Sequence, residues 1–218
     1  MVGAAMFCVF ALALFLPAGT LDWPAGWVFL GLLFGFMTAT GLMLLRRDPD
    51  LLAERLSLSR PGQQRWDRWL LPVFHVVATA WLVLMPLDAV RWHWSHIPPW
   101  LAGIGALVMV CSLTVGYLTF RENSYLSTIV RVQHDRGHTV VTTGPYRYVR
   151  HPLYAAVTAF MPATALLLGS WSGLAVSPLL IGILALRSVA EEHVLQAQLT
   201  GYDTYMSHVP YRLIPRVW

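Results

Sequence analysis

The sequence predicts an all-α integral membrane protein with about six transmembrane helices, a cytoplasmic connector and a C-terminal tail. Three observations carry this. Of 218 residues, 56% are hydrophobic and only 12% charged, about half the charged fraction of a soluble domain. The apolar residues fall into runs of about bilayer length. The basic residues, 15 in number and all arginine, sit between particular runs rather than being spread along the chain. A soluble enzyme, a disordered chain and a large extracellular domain are excluded. The net charge of +4 belongs to topology rather than to nucleic acid.

Val2 to Leu16 is the first apolar run and ends at Pro17. No basic residue precedes Arg46, so the run reads as a retained span rather than a signal peptide. Gly26 to Leu45 is the second. Leu70 to Leu87 is the third, with Pro72 and Pro86 tolerated because neighbours can re-satisfy the freed carbonyls. Trp100 to Phe120 is the fourth. Pro152 to Leu168 and Leu174 to Ala190 are the fifth and sixth, and the turn Gly169-Ser170-Trp171-Ser172 makes them an antiparallel hairpin.

With six spans, Arg46, Arg47, Arg55, Arg60, Arg65 and Arg68 fall on the same side as the arginines from Arg121 to Arg150 and as Arg187, Arg212 and Arg216. Only Arg91 is left opposite. The excess of arginine marks the cytoplasmic side, so both termini are expected there, in an inner or cytoplasmic membrane. Trp23, Trp27, Trp92, Trp94, Trp100 and Trp171 fit an aromatic belt on the outer side. Within residues 46–69, Leu51-Leu52-x-x-Arg55-Leu56 reads as a short amphipathic helix on the membrane surface.

The unusual chemistry lies in residues 121–151, a connector too long to be a mere link, and in the helix that follows. Gly144-Pro145 signals a turn. Pro152 suits the first position of a helix, which leaves His151 as its cap. Arg150, His151 and the free amides of that helix start form either an anion site or a cationic anchor at the interface. At the end of the sixth span, Arg187 and Glu191 share a helix face, with Glu192 beside them. Because the fifth and sixth spans form a hairpin, His151 and Glu191 are expected close together. An anion-binding helix start facing paired carboxylates suits a zwitterionic ligand that also carries a positive centre.

The run Gly137-His-x-Val-Val-Thr-x-Gly-Pro-Tyr-x-x-x-Arg-His-Pro-x-Tyr154 is followed by Arg187-x-x-x-Glu-Glu-x-x-Leu195, by Tyr202-x-x-Tyr205 and by Pro210-Tyr-Arg-Leu-Ile-Pro215. This combination resembles the isoprenylcysteine carboxyl methyltransferase family and the related membrane phospholipid N-methyltransferases, over roughly residues 120–218. The resemblance implies a methyltransferase core at 120–218 behind four N-terminal spans in 1–119. It also implies an S-adenosylmethionine site enclosed between the last helices, the connector and the tail. By position, the cofactor contacts would be Gln133, His138, Thr139, Val140, Val141, Gly144, Tyr146, Arg150, His151, Pro152, Leu153, Tyr154 and Glu191. Arg187 would stand at the methyl acceptor, and Glu191 and Glu192 are the carboxylates that could take a proton from an amine acceptor. The implied partner is a lipophilic or lipid-modified acceptor drawn from the membrane, with neither nucleic acid nor metal. Ala156 departs from the small glycine frequent in the family, and the connector and tail differ from the eukaryotic enzymes.

Two other classes stand beside this reading: a sterol-type reductase using NADPH, and an inactive membrane protein of the same fold. His75 reads as a packed polar residue, His93 and His96 as an interfacial loop, and Cys8 and Cys111 as buried small hydrophobes. Asp88 and Trp218 have no partner that the sequence can name.

Overall fold

In the computed structural model, which describes residues 2–57 and 62–218, the chain is built from α-helices joined by short links and one long connector. The helices are α1 (Val2–Ala18), α2 (Pro24–Arg47), α3 (Pro49–Leu56), α4 (Asp67–Pro86), α5 (Pro99–Glu122), α6 (Pro152–Leu168), α7 (Trp171–Gln198) and α8 (Tyr202–His208). No strand occurs among the described residues. Arg60, which the sequence places in the basic loop, lies outside them. Four helices, α2, α4 with the turn after it, α5 and α7, are long and apolar enough to cross a membrane, and α1 and α6 are shorter apolar helices. The chain is an integral membrane protein.

The helix starts follow local rules. Pro24, Pro49, Pro99 and Pro152 each stand at the first helical position, where a missing amide costs nothing. The Asp48 carboxylate caps α3 by accepting from the Leu51 amide at 3.0 Å, and the Ser170 hydroxyl caps α7 by accepting from Gly173 at 2.8 Å. The α6–α7 link is shorter than expected, only Gly169 and Ser170, with Gly169 at φ +86°. α7 also runs two turns past Ala190, so Glu191 and Glu192 lie within the helix rather than at its end. The apolar run stops at the membrane face, but the backbone hydrogen bonding has no reason to stop with it.

α5 packs along α6, α6 on α7, α7 on α4, α4 on α1, and α2 on α5. Phe29, Leu30, Met85, Met109, Leu168 and Leu180 form the centre of the bundle. Close approach of α5 to α6 depends on Gly105, where a Cβ would stand 2.7 Å from the Ala163 carbonyl oxygen and the Leu167 nitrogen. Small residues at helix contacts are the usual device in membranes, where packing rather than water exclusion holds helices together. Trp81 Nε1 donates across to the Gly173 carbonyl at 2.7 Å and ties α4 to α7.

The two ends of the bundle differ. At one end Asp88, in a single π-helical turn at Leu87–Arg91, is fully buried. It accepts from Ser95 Oγ at 2.7 Å, from Ser170 Oγ and from the Ser172 amide at 3.2 Å. Asp88 thus has three partners that the sequence did not reveal, and it pins the α6–α7 link. At the other end lie the C-termini of α2, α5 and α7, the starts of α4 and α6, and the connector. Cys8 and Cys111 are exposed on the helix surface rather than buried, since in an apolar solvent a small hydrophobe gains little by turning inward.

Candidate functional site

A cavity of about 420 Å³ opens at the connector end of the bundle, within the range of small-molecule sites. Its walls come from α3, α4, α6, α7, α8 and the connector. One flank, Leu71 and Phe74 of α4 with Val157 and Leu184, is apolar. The rest carries polar groups held in two networks.

The first is a chain of contacts along the cavity wall. Arg187 Nε donates to Asp67 Oδ1 at 2.9 Å, Nη2 to the Thr128 carbonyl at 2.9 Å, and Nη1 to the Tyr154 hydroxyl. That hydroxyl donates in turn to Glu191 Oε2 at 2.6 Å. Arg187 and Glu191 are therefore linked through Tyr154 rather than paired directly. Each guanidinium nitrogen of Arg187 is engaged, and the arginine is only 8% exposed. Placing such a group at membrane depth costs about 2.5–3.5 kcal/mol on insertion scales, and Asp67, fully buried, offsets that charge. Asp67 also accepts from Gln63 Nε2 at 3.0 Å and from the Val130 amide at 3.2 Å. It joins the α3–α4 link, α4, the connector and α7.

The second network centres on Glu192, 2% exposed. It accepts from Arg150 Nε at 2.6 Å, from Arg212 Nε at 2.7 Å and from His151 Nε2 at 3.2 Å. Arg150 Nη1 reaches the Val209 carbonyl at 2.8 Å, and the amides of Arg150 and His151 donate to the carbonyls of Tyr211 and Arg212. Arg212 also lies 4.7 Å over the Trp218 ring. These contacts sew the start of α6, α7 and the tail together.

The sequence predicts His151 and Glu191 close together; both line the cavity, and they meet through Tyr154 rather than by a direct bond. His151 bonds Glu192, while Glu191 faces Tyr154, whose ring stacks on His151 with centroids 5.4 Å apart. Neighbouring residues on a helix point about 100° apart, and nothing in the pattern says which of two adjacent acids faces which partner. Of the residues singled out from the sequence, His138, Thr139, Val140, Val141, Tyr146, Arg150, His151, Pro152, Leu153, Tyr154, Arg187 and Glu191 line the cavity. Glu192, Gln133 and Gly144 do not. Gln133 is fully buried and shapes the connector, donating to the Tyr125 carbonyl at 2.7 Å and accepting from Arg136 at 2.8 Å. Gly144, at φ +57°, lets the chain turn against Glu122, where a side chain would clash.

Further groups on the wall prepare it for a polar ligand. The first amide of α6 with a helical partner is Ala155, bonded to the His151 carbonyl at 3.0 Å, so those of Leu153 and Tyr154 have no intrahelical acceptor. The Tyr202 hydroxyl is buried without a partner, and burial, with Glu192 and Glu191 nearby, holds its pKa above the usual phenol range. His138 stacks on Tyr125 at 4.3 Å, and its Nδ1 accepts from the Gln133 amide at 3.3 Å. Burial, followed by nearby His134, Arg136 and Arg131, pulls its pKa down to about 4, so the ring is neutral near pH 7. Burial likewise raises the Tyr146 pKa, and its hydroxyl accepts from Asn123 Nδ2 at 2.7 Å.

Asp67, Arg55 and Tyr202 were not read as site residues from the sequence. For Asp67 a signal existed: a lone arginine at membrane depth needs an acid, and Asp67 opens the one span that begins with one. His75 also reaches the wall, with Nδ1 against the Leu71 carbonyl at 2.7 Å. Among the described residues no three of His, Cys, Asp and Glu gather as a metal site.

Residues 100–200, from α5 through the end of α7, match the family model described as phospholipid methyltransferase. No curated protein matches the chain. The matched stretch holds the Arg-His-Pro start of α6, the Arg187–Glu191–Glu192 segment and most of the cavity wall. The chain is an integral membrane protein whose residues 100–200 match the phospholipid methyltransferase family.

Proposed function

We propose that this protein is an S-adenosylmethionine-dependent methyltransferase acting on a lipophilic or amphiphilic acceptor that enters from the bilayer. The observation that carries the reading is the cavity itself, where polar walls meet the apolar flank of Leu71, Phe74, Val157 and Leu184 at one end of the membrane helices. S-adenosylmethionine would supply a methyl group activated on a sulfonium. The residues present fit such a molecule. The partnerless Tyr202 hydroxyl, the free Glu191 oxygen and the unpaired amides at the start of α6 offer donors and acceptors to its polar parts. Tyr146 and Tyr154 offer rings to a cation, a contact of about 0.5–2 kcal/mol.

The chain contributes orientation above all, which can supply about 7–11 kcal/mol of a barrier. The Glu192 clamp fixes the start of α6 and the tail, and the Asp67–Arg187–Tyr154–Glu191 chain fixes the opposite wall. Because Arg187 is engaged at every nitrogen, it orders the wall at the acceptor rather than swinging onto it. By resemblance, the acceptor is an isoprenylcysteine-type carboxylate. The alternative is the amine of a phospholipid headgroup, for which Glu191 is the base on the wall.

Incubating purified protein with tritiated methyl donor and a total lipid extract tests this. Alkali releases label from a methyl ester as volatile methanol and leaves an N-methyl group in place, so the two acceptors separate. No transfer to any lipid, with no binding of S-adenosylhomocysteine, would overturn the reading.

A further inference from the structure

Arg55 is the charged group on the cavity wall that the foregoing leaves without a task. It comes from α3, outside the stretch matched to the family. Its Nη1 donates to the Leu126 carbonyl at 2.7 Å, and its guanidinium lies 4.6 Å over the Phe120 ring. Neither contact brings negative charge. The other arginines nearby are matched: Arg131 by Glu54 at 2.8 Å, Arg136 by Asp48 at 3.4 Å, and Arg187 by Asp67 at 2.9 Å. Among the described residues no carboxylate forms an ion pair with Arg55. Burial and the neighbouring Arg187 lower its pKa to about 10, so it keeps its proton at neutral pH while lacking a counter-charge.

We propose that Arg55 binds an oxyanion on the lipid acceptor, a carboxylate or a phosphate, so that the preferred substrate is an anionic amphiphile held from α3. A guanidinium with one donor tied to the protein and the rest of its fork free suits planar recognition of such groups. The Leu126 carbonyl and the Phe120 ring aim the fork. Arg187 beside it strengthens the positive field while staying on Asp67. This rests on the acceptor half of the proposed function and adds the charge that the acceptor carries.

The test uses full-length detergent-purified protein and three single-chain probes, palmitate, hexadecyl phosphate and hexadecanol, with apparent Kd from native mass spectrometry. At least one anion should bind the wild type about ten- to hundredfold more tightly than the alcohol, the usual range for a hydrogen bond to a charged group. Arg55→Gln should erase that preference while keeping affinity for S-adenosylhomocysteine. A preference for palmitate identifies a carboxylate, and one for hexadecyl phosphate a phosphate. Equal binding of all three probes by the wild type, or a preference that survives in Arg55→Gln, overturns the proposal. So does a matching loss of S-adenosylhomocysteine affinity, which would move Arg55 to the cofactor. If Arg55→Gln does not fold, Arg55→Lys decides: several-fold weaker anion binding supports the proposal, and unchanged binding overturns it. Absence of S-adenosylhomocysteine binding in the wild type would instead sink the methyltransferase reading, leaving the anion preference to be judged on the probes.

Discussion

Two adjacent glutamates divide the labour of this site. Glu192 is locked beneath Arg150, Arg212 and His151, so Glu192→Ala leaves two guanidiniums without their carboxylate. Breaking one side of a buried ion pair costs about 3–5 kcal/mol, and thermal unfolding in detergent should show a large fall in melting temperature. Glu191 has one oxygen on Tyr154 and the other free toward the cavity. Glu191→Gln should keep the melting temperature and weaken S-adenosylhomocysteine binding in a calorimetric titration; equal affinity would remove Glu191 from the ligand. His138 adds a pH dependence. Its folded pKa of about 4 lies below the ordinary 6.5, so between these values the unfolded chain binds more protons. The associated stability is whole above about pH 6.5 and lost as pH falls toward 4. His138→Gln should flatten the acid side of a melting-temperature profile. The types of these residues were legible in the sequence, and the Arg-His-Pro and Arg-x-x-x-Glu-Glu patterns found the polar wall that α6 and α7 contribute, though not the parts from α3, α4 and α8. Their pairings were not, because a one-residue step along α7 exchanges a cavity-lining acid for a structural one.

The helices were legible wherever the bilayer sets the rule. A span must be long and apolar, and α2, α4 and α5 fall where composition puts them. Legibility fails where the membrane stops dictating. The end of α7 rests on backbone hydrogen bonds and tail contacts, and the connector folds through side chain-to-backbone bonds such as Arg136 to Ser124 and Gln133 to Tyr125. α3 shows both sides: its amphipathic pattern was readable, but its docking on the connector through Ser127, Arg131 and the Leu126 carbonyl was not. Burial works to raise the Glu54 pKa there, yet hydrogen bonds from Arg131 and Ser127 hold it below the usual range. Packing between elements yields its own prediction. Gly105→Leu would drive a side chain into the α6 backbone near Ala163 and Leu167. Since backbone cannot step aside like a flexible side chain, the cost should be about 1–3 kcal/mol, seen as a lower melting temperature. An unchanged one would mean that α5 and α6 are not held this close.

Over the whole molecule, charge is sorted by end. Arg46, Arg47, Arg55, the connector arginines, Arg187 and Arg212 lie at the cavity end, while Arg91 lies at the other beside Asp88 and the aromatic loop. The same end that holds the site therefore carries the arginine excess that marks a cytoplasmic face. That coincidence makes orientation testable together with site location. In a background of Cys8→Ser and Cys111→Ser, single cysteines at Arg147→Cys and Thr204→Cys report the cavity end, and Trp94→Cys reports the other. In sealed spheroplasts a membrane-impermeant maleimide should label the Trp94→Cys protein directly and the other two only after lysis. The reverse pattern would place the cavity and the arginine excess outside, against the rule that orients the helices. Labelling of all three from one side would mean that the two ends of the bundle do not face opposite sides of a bilayer, and the placement of the apolar helices across a membrane would have to be given up.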